Sequence, residues 1–146
     1  MDYEGDAILI AAIREKNNQY LEIFEEDLKT ANLKQKTINN HLANVDFYIN
    51  TYLLNYEPLE MAAGCGNEIQ FFLGDFFIRK AMWSTPASIK STAASIKKFY
   101  KSMMNHGYVD KESYSILCDD IKENMSEWQA ECEAYNDFED LDWWDS

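Results

Sequence analysis

Apolar residues recur every three or four positions along most of this chain, which is the spacing of amphipathic helices. The clearest example is residues 85–107, where the apolar positions are Ile89, Ala93, Ile96, Tyr100, Met103 and Met104. Thr85 and Pro86 supply a hydroxyl cap and a proline at the first helical position, and Gly107 supplies a C-terminal cap. The pattern predicts a helix of about six turns, the fourth of the chain.

The same spacing predicts four further helices, so the fold is expected to be all-α, a bundle of four to five helices. They cover about residues 8–28, 34–54, 67–83 and 110–135. Asn17 and Asn18 predict a break in the first helix, because asparagine favours caps over helix interiors. Asn32 is predicted as a left-handed cap at the end of this helix.

Phe47 falls on the polar side of the second helix. This position predicts that Phe47 is either exposed or covered by something outside the main core.

Length and composition fit a single globular domain. The chain has 146 residues, 47% of them hydrophobic, which is enough for a core without disulfides. Three cysteines (Cys65, Cys118 and Cys132) share no metal-like spacing and predict reduced, buried thiols. No segment approaches the roughly 20 apolar residues of a membrane span, and the acidic N-terminus lacks the features of a secretion signal. A cytoplasmic protein without a membrane partner is expected.

Charge is unevenly distributed along the chain. The formal net charge is −13, yet residues 29–101 carry nine basic and five acidic side chains, whereas 1–28 and 102–146 are strongly acidic. Four of the thirteen basic residues lie in the fourth predicted helix: Lys90, Lys97, Lys98 and Lys101. Lys90, Lys97 and Lys101 fall within about 40° of one another on a helix, with Lys98 and Ser91 beside them. This helix is therefore the positive element of an acidic protein.

The helix order and the connecting segments resemble those of the core-binding (SAM-like, N-terminal) domain of tyrosine recombinases, the phage-integrase family. The similar segments are 32–37 (NLKQKT), 96–100 (IKKFY) and 106–109 (HGYV). Asn32 replaces the usual glycine of the first segment, and Lys34 replaces a common serine cap. The resemblance covers roughly residues 16–124. It divides the chain into an N-terminal helical extension (1–15), a helical core-binding-like domain (16–135) and an acidic aromatic tail (136–146).

In the resembling family, the second and fourth helices approach the major groove of DNA. The resemblance therefore implies a non-catalytic domain that associates with duplex DNA. The residues predicted to contact it are Lys36, Thr37, Asn40, Asn44, Lys90, Ser91, Lys97, Lys98 and Lys101. Lysines would neutralise phosphates, and asparagines could read adenine edges.

The acidic ends oppose DNA binding and leave alternatives open. The lysines could form an ordinary solvated face on an acidic protein-interaction module that kept the fold. A weaker alternative is a fragment of a longer integrase. The apolar residues of the tail could pack on the same domain, near Phe47, or dock a protein partner or a second copy, and a disordered tail is a third alternative. These residues are Phe138, Leu141, Trp143 and Trp144.

Catalysis is not expected from this chain. The resemblance implies that recombination needs an arginine, a lysine, a His-x-x-Arg and a nucleophilic tyrosine in a second domain, but this sequence has two arginines and no His-x-x-Arg. No metal or cofactor site is predicted either. The consecutive carboxylates of residues 25–27 do not converge on one helix face, and His41 and His106 lack further ligands at suitable spacing.

Overall fold

A computed structural model describes the backbone of residues 3–81 and 83–145 and the side chains of residues 4–81 and 83–137. All regular secondary structure in these residues is helical, so the all-α prediction is confirmed. The five main helices are α1 (Tyr3–Thr30), α2 (Gln35–Asp46), α3 (Glu68–Phe71), α4 (Pro86–Asn105) and α5 (Lys111–Asp145).

Two of these helices continue through π-helical turns. α2 runs on into the π-helical segment Phe47–Tyr52. α3 passes through the π-helical segment Phe72–Phe76 and ends with the helical segment Phe77–Lys80. A short 3₁₀ helix, Met61–Cys65, lies in the loop between them. A π-helical turn places one more residue in a turn than an α-helix, so it shifts the side-chain stripe partway along each helix.

The helix ends follow the caps predicted from the sequence. The Thr85 hydroxyl accepts a hydrogen bond of 3.0 Å from the Ser88 backbone N–H, and the Ser88 hydroxyl accepts one of 2.7 Å from the Thr85 N–H. This reciprocal capping box begins α4. Asn32 has a φ of 64° and Gly107 a φ of 85°, so both take the left-handed conformation that ends a helix.

α1 is continuous, and the predicted break near Asn17 and Asn18 is wrong. Asn17 is buried at 1% exposure, and its Nδ2 donates to the Ile49 carbonyl at 3.2 Å and to Asn50 Oδ1 at 2.8 Å. The asparagine stays inside the helix because its side chain bonds to a neighbouring helix rather than to its own backbone.

α4 lies at the centre of the bundle and packs against α1, α2 and α5. Its predicted apolar stripe is buried, with Ile89, Ile96, Tyr100 and Met103 all at 0% exposure. This burial leaves only one side of α4 open to solvent, and that side carries the lysines.

Phe47 is covered by the third helix and the residues after it. Its ring centroid lies 5.7 Å from that of Phe72 and 5.8 Å from that of Trp83. The backbone of residues 136–145 continues α5 as helix. The side chains on which the tail-docking predictions depend lie outside the described residues: Phe138, Leu141, Trp143 and Trp144. No helix in the described part of the chain has the length and apolar character needed to cross a membrane.

Candidate nucleic-acid interface

α2 and α4 pack side by side and run in opposite directions. Near their middles, His41 of α2 meets Ser95 of α4. Beyond the C-terminal end of α2, Phe47 packs on Trp83, which immediately precedes α4. The N-terminal half of α2, with Thr37 and Asn40, therefore lies beside the C-terminal half of α4.

A partly buried polar cluster joins the two helices beneath this surface. The Ser95 hydroxyl, in a residue 1% exposed, lies 2.7 Å from His41 Nδ1 and 3.0 Å from Asn44 Nδ2. It also donates to the Ser91 carbonyl at 3.2 Å. The Ser95 oxygen can accept from Asn44 Nδ2 and from a His41 proton on Nδ1, while the Ser95 hydroxyl proton goes to the Ser91 carbonyl. The cluster thereby fixes the register of α2 against α4.

The environment of His41 favours its neutral form. Burial, and to a smaller extent the nearby Lys98 ammonium, hold the pKa of the His41 imidazole below its usual value of 6.5. The centre of the α2–α4 seam is therefore neutral at physiological pH, and the positive charge of this surface comes from lysines.

The lysine face, defined as Lys90, Lys97, Lys98 and Lys101, is exposed along the open side of α4. The salt bridges found among the described residues are Lys29–Glu26, Arg79–Asp75 and His106–Asp27, and none includes a lysine of this face. Four cations thus share one helix without an acidic partner in the part of the chain that the structure describes.

The Asp27 carboxylate joins α1 to the C-terminal end of α4. This carboxylate of α1 reaches the C-terminal part of α4, where it accepts a hydrogen bond from the Ser102 hydroxyl. It also lies 3.0 Å from His106 Nε2. The bonds to Ser102 and His106 tie α1 to α4 and occupy the carboxylate.

The residues predicted on α2 divide into three groups. Thr37 and Asn40 are exposed, and neither makes a side-chain hydrogen bond among those described. Asn44 is half-buried, and its amide already donates to Ser95. Lys36 is exposed and lies one turn before Asn40, about 40° from it around the helix.

The structure therefore brings most of the predicted residues to one surface. Thr37, Asn40 and Asn44 line the α2 side, Ser91 and Lys98 line the α4 side, and the other lysines continue around α4. Lys36 continues the α2 side one turn before Asn40. Sequence reasoning missed Ser95 and the bonding role of His41; the available signal was a small hydroxyl residue inside the apolar stripe of α4.

The described residues show no arrangement suited to metal chemistry. No group of three or more His, Cys, Asp or Glu side chains is placed to hold a metal ion among them. Cys65 is buried, and its burial raises the pKa of the thiol to about 12, so this cysteine is protonated at neutral pH. What this surface offers is exposed cations and amides, which are groups for binding anions and polar edges.

Comparison with protein-family models, curated proteins and solved structures finds no match to this chain. The likeness to recombinase core-binding domains rests on the sequence segments quoted above.

Proposed function

We propose that this protein is a non-catalytic helical module, related to the core-binding domain of tyrosine recombinases, that associates with duplex DNA through the lysine face and the adjoining side of α2. The observation that carries the proposal is that four lysines lie together on the open side of one helix, with no salt bridge to them among the described residues. Four cations left together on one surface are suited to an external polyanion.

DNA phosphates match this surface chemically. Each lysine that neutralises a phosphate releases a condensed counterion, and the logarithm of the binding constant falls with the logarithm of salt concentration by about 0.9 per phosphate. Four lysines predict a slope of about 3 to 4. Thr37 and Asn40 lie beside them and present groups that can reach base edges.

The net charge of −13 limits the strength of this association. Repulsion between phosphates and the acidic ends opposes binding at every salt concentration. We therefore expect weak binding that is measurable at low ionic strength and is lost near 200 mM salt.

Two charge-matched variants test the proposal. The first is Lys97→Glu with Lys101→Glu, on the lysine face; the control is Lys111→Glu with Lys122→Glu, on α5. Both lower the net charge by the same amount, so only a specific face distinguishes them. Fluorescence anisotropy with a labelled duplex at 50 mM salt should show the first variant binding at least about tenfold more weakly than the control.

Two results would contradict the proposal. If the two variants lose affinity equally, net charge alone governs binding and the lysine face has no special role. If the unchanged protein does not bind duplex DNA at 50 mM salt, the association itself is wrong.

A second candidate function is an acidic protein-interaction module that kept the fold without DNA binding. The observation that favours it is exposed apolar surface: Ile8 is 72% exposed, Phe71 61% and Trp83 57%. Such a module would ignore duplex DNA at low salt and still form a defined protein complex.

A further inference from the structure

The N-terminal turns of α1 present apolar side chains to solvent. Among residues 4–12, no side chain is buried, and Ile13 is the first buried residue among the helix positions whose side chains the structure describes. Ile8 is 72% exposed and Leu9 is 44% exposed, whereas Phe24 and Leu28 further along are 1% and 3% exposed. Exposing two large aliphatic residues in adjacent positions indicates an interaction surface rather than scattered surface residues.

Four of these exposed residues form a row with a spacing of four. The α1 row is Glu4, Ile8, Ala12 and Lys16, and all four are exposed. Successive members lie about 40° apart around the helix, so the row is a ridge of the kind that packs into a groove of another helix. Its ends are charged, with an acid at one end and a base at the other, and its middle is apolar.

The α1 row is complementary to itself. Consider two copies of α1 that pack antiparallel, related by a twofold axis level with residue 10 along the helix. Glu4 of one copy then lies opposite Lys16 of the other. The same axis sets Ile8 opposite Ala12, a large side chain against a small one. Neither Glu4 nor Lys16 takes part in a salt bridge among the described residues. Each twofold pair therefore gains two ion pairs and two apolar contacts at once.

We propose that the α1 row is a docking surface for a second copy of this chain, which pairs through antiparallel α1 helices. The second copy is favoured over an unrelated partner because the matching charge and size belong to the row itself. A single helix crossing buries less than the roughly 1,200 Å² of a standard stable interface. The dimer is therefore expected to be weak, with a dissociation constant between about 1 and 100 μM.

Charge reversal tests the pairing directly. Glu4→Lys gives a chain with two bases in the row, and Lys16→Glu gives a chain with two acids. Each variant alone places like charges opposite each other at both ends, so its self-association should fall by about tenfold or more. A mixture of the two variants places unlike charges opposite each other again. Sedimentation velocity should show the mixture forming a heterodimer at least as stable as the unchanged homodimer.

The apolar contact has its own matched control. Ile8→Glu buries a carboxylate in the proposed interface and should abolish the dimer. Ile116→Glu makes the same chemical change at an α5 residue that is 47% exposed and should leave the dimer intact. Circular dichroism melting of both variants checks that each remains folded.

Three results would overturn the proposal. The first is an unchanged protein that stays monomeric up to about millimolar concentration, well above the expected dissociation constant. The second is a dimer that survives Ile8→Glu. The third is a pair of charge variants that show no preference for each other, because this would exclude the antiparallel register. None of these results depends on DNA binding.

Discussion

Ser95 and His41 are joined by a 2.7 Å contact that bridges α4 and α2 directly beneath the candidate interface. Asn44 donates to the same hydroxyl at 3.0 Å. One side chain of α4 thus satisfies two polar groups of α2. The relative position of the two helices, and with it the surface they share, depends on this hydroxyl.

Removing the Ser95 hydroxyl should therefore destabilise the fold. Ser95→Ala leaves His41 Nδ1 and Asn44 Nδ2 without their partner, at a cost of about 1–3 kcal/mol in the free energy of unfolding. The control is Ser91→Ala, because Ser91 is exposed one turn earlier and should change stability by less than about 0.5 kcal/mol. Urea denaturation of both variants measures the difference. Equal effects would show that the Ser95 bonds do not stabilise the fold.

The lowered pKa of His41 predicts a pH dependence of stability. Burial, with a smaller effect from Lys98, holds the folded-state pKa below the unfolded value of 6.5, so the unfolded chain binds the proton more readily. The contribution of His41 is fully present above about pH 6.5 and is lost as the pH falls through the folded-state pKa. His41→Gln should lack this step in urea denaturation between pH 7.5 and 5. An NMR titration showing a His41 pKa at or above 6.5 would contradict the prediction.

Asn40 and Lys98 should affect DNA binding in different ways if the proposed interface is correct. Lys98→Ala should reduce the salt slope by about 1 for every duplex, because it removes one phosphate contact. Asn40→Ala should leave the salt slope unchanged and weaken binding only to the duplex of preferred sequence, because an exposed amide reads base edges. Binding of each variant to a selected duplex and a scrambled one, over a range of salt, separates the two effects. Identical behaviour of the two variants would argue against base reading by Asn40.

Alanine substitutions at the adjacent residues Asn17 and Asn18 should differ strongly in their effect on stability. Asn17→Ala removes the bonds to the Ile49 carbonyl and Asn50 Oδ1 and should cost about 1–3 kcal/mol. Asn18→Ala should be neutral or slightly stabilising, because Asn18 is exposed and alanine is the better helix former. Thermal denaturation of the two variants compares them. A smaller loss for Asn17→Ala than for Asn18→Ala would mean that the bonds to the π-helical turn carry no weight.

The contrast between Asn17 and Asn32 shows what the sequence can predict. Asn32 ends its helix, as predicted, because a left-handed cap is set by neighbouring residues along the chain. Asn17 stays within its helix because it bonds to Ile49 and Asn50, which are 32 and 33 residues away. The sequence around Asn17 therefore gives no indication of these two partners.

The candidate interface shows the same division. The exposure of the lysines follows from the apolar stripe of α4 alone, since that stripe fixes which side is buried. The hydrogen bond from Asn44 to Ser95 depends on the register of α2 against α4. The sequence of either helix alone does not predict this register. Likewise, Phe47 is covered in part by Trp83, which is 36 positions later in the chain, so no local pattern predicts this contact.

A side chain at Gly64 would clash more severely than one at Gly66, Gly74 or Gly107. Gly64 lies in the 3₁₀ helix Met61–Cys65, where Tyr48 donates a hydrogen bond to the Gly64 carbonyl and Tyr100 donates one to the Met61 carbonyl, each at 2.6 Å. A Cβ at position 64 would overlap the Tyr100 hydroxyl and come within 2.9 Å of the Tyr48 ring. Gly64→Ala must therefore displace a buried tyrosine and break its bond, at a cost of about 3 kcal/mol or more.

The matched control is Gly66→Ala in the same loop. A Cβ at position 66 would meet nothing closer than the Ala63 carbonyl oxygen at 3.9 Å, so this variant should change stability by less than about 1 kcal/mol. Urea denaturation of the two variants measures the difference. Because Tyr48 lies in the π-helical segment that continues α2 and Tyr100 lies in α4, Gly64→Ala should also loosen the packing of the two helices. Hydrogen exchange should therefore be faster at the Ser95 and His41 amides in Gly64→Ala than in Gly66→Ala, and equal rates would show that the loop does not support the interface.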